Sequence, residues 1–337
     1  MNLPTSGSSM ISRSPVVVAE NRRTIAGGLR ESTWRAPDGY PIRRIDGDPL
    51  PTATPARGSL LFLPGRGDCY EKYLEALSEW QAAGWRVASL DWRWQAGSGR
   101  AGADAAIGHV DDFATWTGDL AAFWAQWRAA TPGPHVLIGH SMGGHLVLRA
   151  LAEGTVRPDA AVLVAPMLGL HGLGLPTGLL LRVARIMAAI GDPARAAWAD
   201  SEKPGFKAAM RMRLLTHDEA RYGDDVFWRA ARPELAMGPG SWGWVRAALA
   251  SIARLEAPGV LEAIATPILL LGTRHDGLVR YRAIARATAR LPHARLLTFG
   301  REARHEILRE ADPVRNRARR AIDEFLDRVV PARQPAA

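Results

Sequence analysis

Short runs of β-branched and leucine residues alternate with longer stretches of helical spacing along most of this chain, and that alternation restricts its fold more than any other feature. Ser59 to Leu63, Trp85 to Leu90, His135 to Ile138, Ala160 to Val164, Pro267 to Leu271 and Ala294 to Phe299 read as strands. Between them, Tyr73 to Ala83, Val110 to Ala129, Met142 to Glu153 and Tyr281 to Arg290 repeat apolar residues every three or four positions, as helices do. Strands separated by crossover helices build a mostly parallel sheet flanked by helices, so the expected class is α/β. Ser32 to Ala36 and Pro41 to Ile45 enclose the turn dipeptide Asp38-Gly39 and predict a hairpin at the sheet's edge.

The alternation stops after Pro166 and resumes near Thr266, which marks a helical insertion between two consecutive sheet strands. The expected division is an N-terminal arm over 1–30, a core formed by 31–166 and 259–330, and a helical cap or lid over 167–258. Leu179, Val183, Ile186 and Ile190 share one helical face, with Leu180 and Met187 beside it. That face either packs on the main domain or builds a lipophilic pocket over the site. Pro and Gly cluster at 49–58 and 331–335, a connector and a frayed tail.

A net charge of +9 raises the question of an anionic partner, but only Lys72, Lys203 and Lys207 are lysines among the 43 basic residues. The arginines are scattered among acids and alanines, so no nucleic-acid partner is expected, while peripheral contact with an anionic membrane stays open. The apolar stretch Leu173 to Ile190 is interrupted by Pro176, Arg182 and Arg185, so it is expected to lie on a bilayer rather than cross one. Val16 to Ala19 is too short for the core of a secretory signal and runs into Glu20, Arg22 and Arg23. The expected location is therefore cytoplasmic, with the inner membrane surface within reach. Cys69 is the only cysteine, which excludes a disulfide framework and any multi-cysteine metal site.

Gly139-His140-Ser141-Met142-Gly143 follows one strand run and precedes a helical one. A serine on so tight a strand-to-helix turn needs small residues two before and two after, the roles of Gly139 and Gly143. There the hydroxyl stands at the sheet's C-terminal edge, and the Met142 amide at the helix start can face a developing oxyanion. A serine hydroxyl needs an imidazole to take its proton, and the imidazole needs an acid to hold its tautomer. Asp276 lies just past the strand ending at Leu271. Of the two histidines that follow, His305 comes after a strand and His293 before it, so His305 emerges beside Ser141. The loop Pro64-Gly65-Arg66-Gly67-Asp68 is expected to give the second oxyanion donor from the Arg66 amide, with Gly65 and Gly67 letting the backbone approach a substrate. His140 either orients the elbow or is a buried backbone-bonded group, and His109 caps or precedes a helix. Cys69, Trp92 and Trp94 either line a pocket or pack. No metal site is read, since no H-E-x-x-H or clustered ligand spacing occurs, and no cofactor is expected.

With these residues in place, the chain resembles the monoacylglycerol lipase and bacterial lysophospholipase group of α/β hydrolases, from about Trp34 to about Val329. The resemblance rests on Leu63 to Gly67, on Asp91-Trp92-Arg93 leading into Gln95 to Arg100, on Gly139 to Gly144, on Gly272 to Val279, and on Ala303 to Leu308 with Glu310. It departs at Pro64-Gly65, where members often carry His-Gly, and at Trp94 to Gly97, where extra glycine is common. The resemblance implies the α/β-hydrolase fold with Ser141, Asp276 and His305 as nucleophile, acid and base. It also implies hydrolysis of a single acyl ester of a lipid, such as a lysophospholipid or monoacylglycerol, under a cap that forms an acyl tunnel. A general carboxylesterase on a non-lipid ester, or an acyltransferase using the same acyl-enzyme, is the alternative.

Overall fold

A computed structural model of the chain describes residues 22–25, 28–53, 56–171, 175–198 and 206–331. The run Val16 to Ala19, most of the arm, the first residues of Leu173 to Ile190 and the tail beyond 331 lie outside the described residues.

The strands are β1 (Arg30–Arg35), β2 (Pro41–Gly47), β3 (Gly58–Leu63), β4 (Trp85–Leu90), β5 (His135–His140), β6 (Ala160–Val164), β7 (Ile268–Thr273) and β8 (Ala294–Phe299). They form one eight-stranded sheet in the order β1-β2-β4-β3-β5-β6-β7-β8. β1 and β2 are the expected antiparallel hairpin, β2 also pairs antiparallel with β4, and the pairs from β4 onward are parallel. Parallel strands covered on both faces must be apolar on both, which is why β3, β5, β6 and β7 read as continuous runs rather than alternating ones. Their alternate residues feed two cores. Leu61, Leu137, Leu163 and Leu270 pack with Trp116 and Leu146, while Leu60, Val136, Val162 and Leu269 pack with Trp80 and Leu326.

The sheet-flanking helices are α1 (Leu74–Ala82), α2 (Ala114–Ala130), α3 (Met142–Ala152), α8 (Tyr281–Arg290) and α9 (Asp312–Val329). α2 starts later than its apolar spacing suggests, because the Asp112 carboxylate accepts the Ala114 amide at 2.8 Å and supplies the start. α9 was not expected, being rich in charge. Its buried Val314, Ala318, Ile322, Phe325 and Leu326 nevertheless keep helical spacing.

Between β6 and β7 the chain makes α4 (Thr177–Ala189), α5 (Phe206–Leu215), α6 (Glu219–Ala231) and α7 (Trp242–Glu256). Asp218 caps α6 by accepting the Arg221 amide at 2.8 Å, and Ser241 caps α7 by accepting that of Trp244 at 3.0 Å. α4 corrects one expectation. Leu181 and Ala184 pack with Leu249 of α7, whereas Leu179, Val183, Ile186 and Ile190 are 43–63% exposed. The small alanines allow the two helices a close approach, and the bulkier face is left outward. His109 precedes α2, one of its two expected placements, without capping it: its Nδ1 lies 2.7 Å from Ser241 Oγ and ties the loop before α2 to the start of α7.

Candidate active site

Parallel strands in register bring the ends of β3, β5, β7 and β8 to one edge of the sheet, the edge where α/β proteins place their ligands. Ser141 leaves β5 at φ 50° and ψ −116°, a conformation costly for a side chain other than glycine, and α3 starts with the next residue. A Cβ on Gly139 would come within 2.7 Å of the Gly143 backbone, and one on Gly143 would strike the carbonyl oxygens of Leu63 and Pro64. The two small residues thus let the turn nest against itself and against the end of β3.

His305 Nε2 lies 2.9 Å from Ser141 Oγ, and His305 Nδ1 lies 2.7 Å from Asp276 Oδ2. The second Asp276 oxygen accepts the amides of Leu278 at 2.8 Å and Val279 at 3.0 Å, which fixes the carboxylate plane. Burial alone would raise the Asp276 pKa, but the facing imidazole and these amides outweigh it and hold the carboxyl below its ordinary value. His305 shows the reverse: burial disfavours its imidazolium, yet Asp276 foremost, with Glu306 and Asp68 behind, raises the pKa above the ordinary histidine value. His293 accepts the Ile268 amide through its carbonyl at the opposite end of β7, away from the serine.

The loop after β3 is fastened from beneath. Trp92 Nε1 donates to the Pro64 carbonyl at 2.8 Å, and the Gly67 amide, at φ 61°, donates to Gln95 Oε1 at 2.8 Å. Gly65 has room for no more than a tight contact, since a Cβ there would sit 3.2 Å from both His140 Nδ1 and Ser141 Cβ. Met142 is the first residue of α3, where amides have no intrahelical acceptor. Cys69 and Trp92 are buried packing groups, and neither they nor Trp94 line the cavity at the serine. His140 is buried, with Nδ1 2.9 Å from the Tyr73 hydroxyl and Nε2 3.4 Å from the His305 carbonyl.

Above the serine opens a cavity of about 870 Å³, a size suited to a drug-sized or larger ligand. Leu170, Leu180, Leu214, Met237, Trp244 and Val279 give it an apolar wall, and Arg66, Lys72 and Arg211 stand on the same lining. Arg66 is held with its guanidinium 5.4 Å from the Trp198 ring and 5.1 Å from that of Trp244. The insertion also reaches the histidine loop. The Leu215 carbonyl accepts the Glu306 amide at 2.8 Å, and Glu310 Oε1 takes the Arg304 amide at 2.6 Å and His217 Nδ1 at 3.0 Å.

A buried ionic group behind this site escaped the sequence reading. Lys72 Nζ lies 2.7 Å from Asp68 Oδ1 and 2.6 Å from Glu306 Oε1, joining the loop after β3 to the histidine loop. Its sequence signal was its rarity: one of three lysines in a chain that otherwise uses arginine. Among the described residues no group of three or more His, Cys, Asp or Glu is arranged to hold a metal ion.

A mostly parallel eight-stranded sheet, with a serine on a strand-to-helix turn and histidine and aspartate lined up behind it, defines an α/β hydrolase. The chain belongs to the family described as serine aminopeptidase S33, which matches residues 54–312. Lysophospholipase L2 of Escherichia coli strain K12 is 31% identical over 278 residues, covering 80% of each protein. Probable lysophospholipase L2 of Haemophilus influenzae is 26% identical over 277 residues, covering 80% of this chain and 84% of that one. In structure, the chain is similar to monoglyceride lipase from Saccharomyces cerevisiae, with a TM-score of 0.70 at 18% identity, over 91% of this chain and 97% of that one.

Proposed function

We propose that the protein hydrolyses a carboxylic ester of a single-chain lipid, a lysophospholipid or monoacylglycerol, through an acyl-enzyme on Ser141. The observation that carries this reading is the serine, imidazole and carboxylate in hydrogen-bonded line at the floor of a large, mostly apolar cavity. His305 takes the Ser141 proton as the oxygen attacks the ester carbonyl, and Asp276 holds the imidazole with Nε2 toward the serine. The Arg66 and Met142 amides stabilise the tetrahedral oxyanion, while Gly65, Gly67, Gly139 and Gly143 allow the backbone that presents them. His305 then protonates the leaving alcohol oxygen. Water, deprotonated by the same imidazole, releases the fatty acid and restores Ser141.

The relatives named as lysophospholipases support the lipid ester. The aminopeptidase description of the family favours another substrate, but that reaction needs an acid available for the α-ammonium group. The two carboxylates on the cavity lining, Asp68 and Glu306, are both engaged by Lys72.

The division into a core over 31–166 and 259–330 and a cap over 167–258 belongs to the same proposal, because α4, α5 and α7 supply much of the apolar wall that an acyl chain would use. So does peripheral contact with an anionic membrane from the cytoplasmic side. The outward face of α4 carries Leu179, Val183, Ile186 and Ile190 with Arg182 and Arg185, the composition of a helix that lies in a bilayer surface. Among the described residues no helix is long and apolar enough to cross a membrane.

The test is fatty-acid release from 1-monooleoylglycerol and from 1-oleoyl-lysophosphatidylcholine, side by side, with Ser141→Ala as blank. Release from either, abolished in the variant, supports the lipid reading and chooses the head group. Turnover of short p-nitrophenyl esters alone moves the assignment to a general carboxylesterase, and acylated alcohol among the products moves it to an acyltransferase.

A further inference from the structure

The groups around Lys72 come from the loop after β3, the elbow, the histidine loop and the insertion. Asp68 follows β3, Glu306 directly follows His305, and Arg309 lies one turn further on, with Nη1 2.6 Å from the other Glu306 oxygen. Asp225 of α6 stands 3.9 Å from Lys72 Nζ and is paired with Arg229 at 3.0 Å, and Arg211 of α5 faces it at 3.9 Å. Tyr73 donates to the second Asp68 oxygen at 2.7 Å, and His140 of the elbow lies 3.4 Å from that oxygen. Lys72, Asp68, Glu306 and Asp225 are all nine-tenths or more buried, so water screens their charges little. Lys72 itself is at the centre, directly between the carboxylate of the loop after β3 and the carboxylate next to His305.

We propose that Lys72 is a positioning residue that balances the buried carboxylates behind His305 and so sets the pH range in which His305 acts as a base. The proposal rests on the hydrolase reading above. Without the ammonium, Asp68 and Glu306 would carry negative charge that Arg309 beside Glu306 only partly offsets, and would hold the imidazole's proton more tightly. The electrostatics agree in sign: burial pushes the Asp68 and Glu306 carboxyls up, and Lys72 foremost, with His140 at Asp68 and Arg309 at Glu306, brings them below their ordinary values. Both acids in turn raise His305. Lysine's compact ammonium is a point charge that lies within 2.7 Å of carboxylates on two different loops.

The experiment is the pH profile of kcat/KM on a soluble p-nitrophenyl ester for the wild type, Lys72→Met, Lys72→Arg and Asp68→Asn, with Ser141→Ala as blank. In Lys72→Met the acid limb moves to higher pH. At the pH where the wild type keeps half its plateau value, the variant falls about fivefold further below its own plateau, as expected when the unbalanced carboxylates move the limb by about one pH unit. Lys72→Arg keeps the limb near its wild-type position, and Asp68→Asn moves it the opposite way, to lower pH. An unmoved limb in Lys72→Met, with the same loss at every pH, would overturn the proposal and leave Lys72 a purely structural tie. If Lys72→Met does not fold, Asp68→Asn decides: an unmoved limb there overturns it equally. Activity surviving in Ser141→Ala would instead overturn the hydrolase reading, so the two failures are told apart.

Discussion

Asp276 accepts from His305 and from two backbone amides, so its carboxylate is held in one orientation and the imidazole in one tautomer. Asp276→Asn would keep the packing but reverse that tautomer. The expected result is a loss in kcat of about 10⁴-fold with little change in KM, measured on any soluble ester; a change confined to KM would place Asp276 in binding. The raised pKa of His305 fixes the sign of the pH response. Hydrolysis requires the neutral imidazole, so kcat/KM falls as pH drops through that raised value, and its acid limb lies at higher pH than an unperturbed histidine would give. The same pairing stabilises the fold in the other direction. Its contribution is complete below the ordinary histidine value and is lost as pH rises through the raised one.

At the scale of elements, α3 and the insertion are locked together by His145, which is wholly buried with Nε2 2.6 Å from Ser251 Oγ on α7, while Arg149 donates to the same oxygen at 2.9 Å. Burial and the Arg149 charge push the His145 pKa down to about 3. Between that value and the ordinary one the unfolded chain binds a proton that the fold does not, so stability falls as pH falls through this window. Urea unfolding at about pH 4.5 should show about 2 to 3 kcal/mol less stability from this residue than at about pH 7, and His145→Gln should flatten that difference; an equally steep variant would assign the acid sensitivity elsewhere. The strands, the elbow and the loop positions of Asp276 and His305 were legible in the sequence because each is a local pattern. Strand runs announce themselves, and the order of loops along a parallel sheet fixes which of them meet. What was not legible is pairing over distance, such as Lys72 with Glu306, 234 positions apart. The spacing of α4 showed that it has two faces. It did not show that the alanine face would be the one packed on α7, because both satisfy a helical repeat.

Over the whole molecule, much of the arginine is spent on internal pairing rather than on display. Arg93 meets Asp38 and Asp119, Arg43 meets Glu71 and Asp91, and Arg221 meets Glu75, Asp218 and Asp312. The arginines are scattered along the sequence and form no dense block, so attraction to an anionic surface should be weak and removed by salt. In flotation assays the protein should associate with phosphatidylglycerol-containing vesicles at low ionic strength, less so at about 0.5 M salt. Ile186→Glu should weaken the association further, since the exposed α4 face would then carry a charge into the headgroup region. Tight binding indifferent to both salt and the substitution would contradict this surface.

Whether Ser141 carries the acyl group is read most directly by intact-mass and peptide analysis after exposure to a long-chain alkyl fluorophosphonate, which mimics the tetrahedral intermediate of ester attack. The expected result is one adduct, on the peptide containing Ser141, absent from Ser141→Ala and slowed in Asp276→Asn and in a His305→Ala variant. An adduct on another residue, or labelling that survives the loss of Ser141, would contradict the assignment of this serine as the nucleophile.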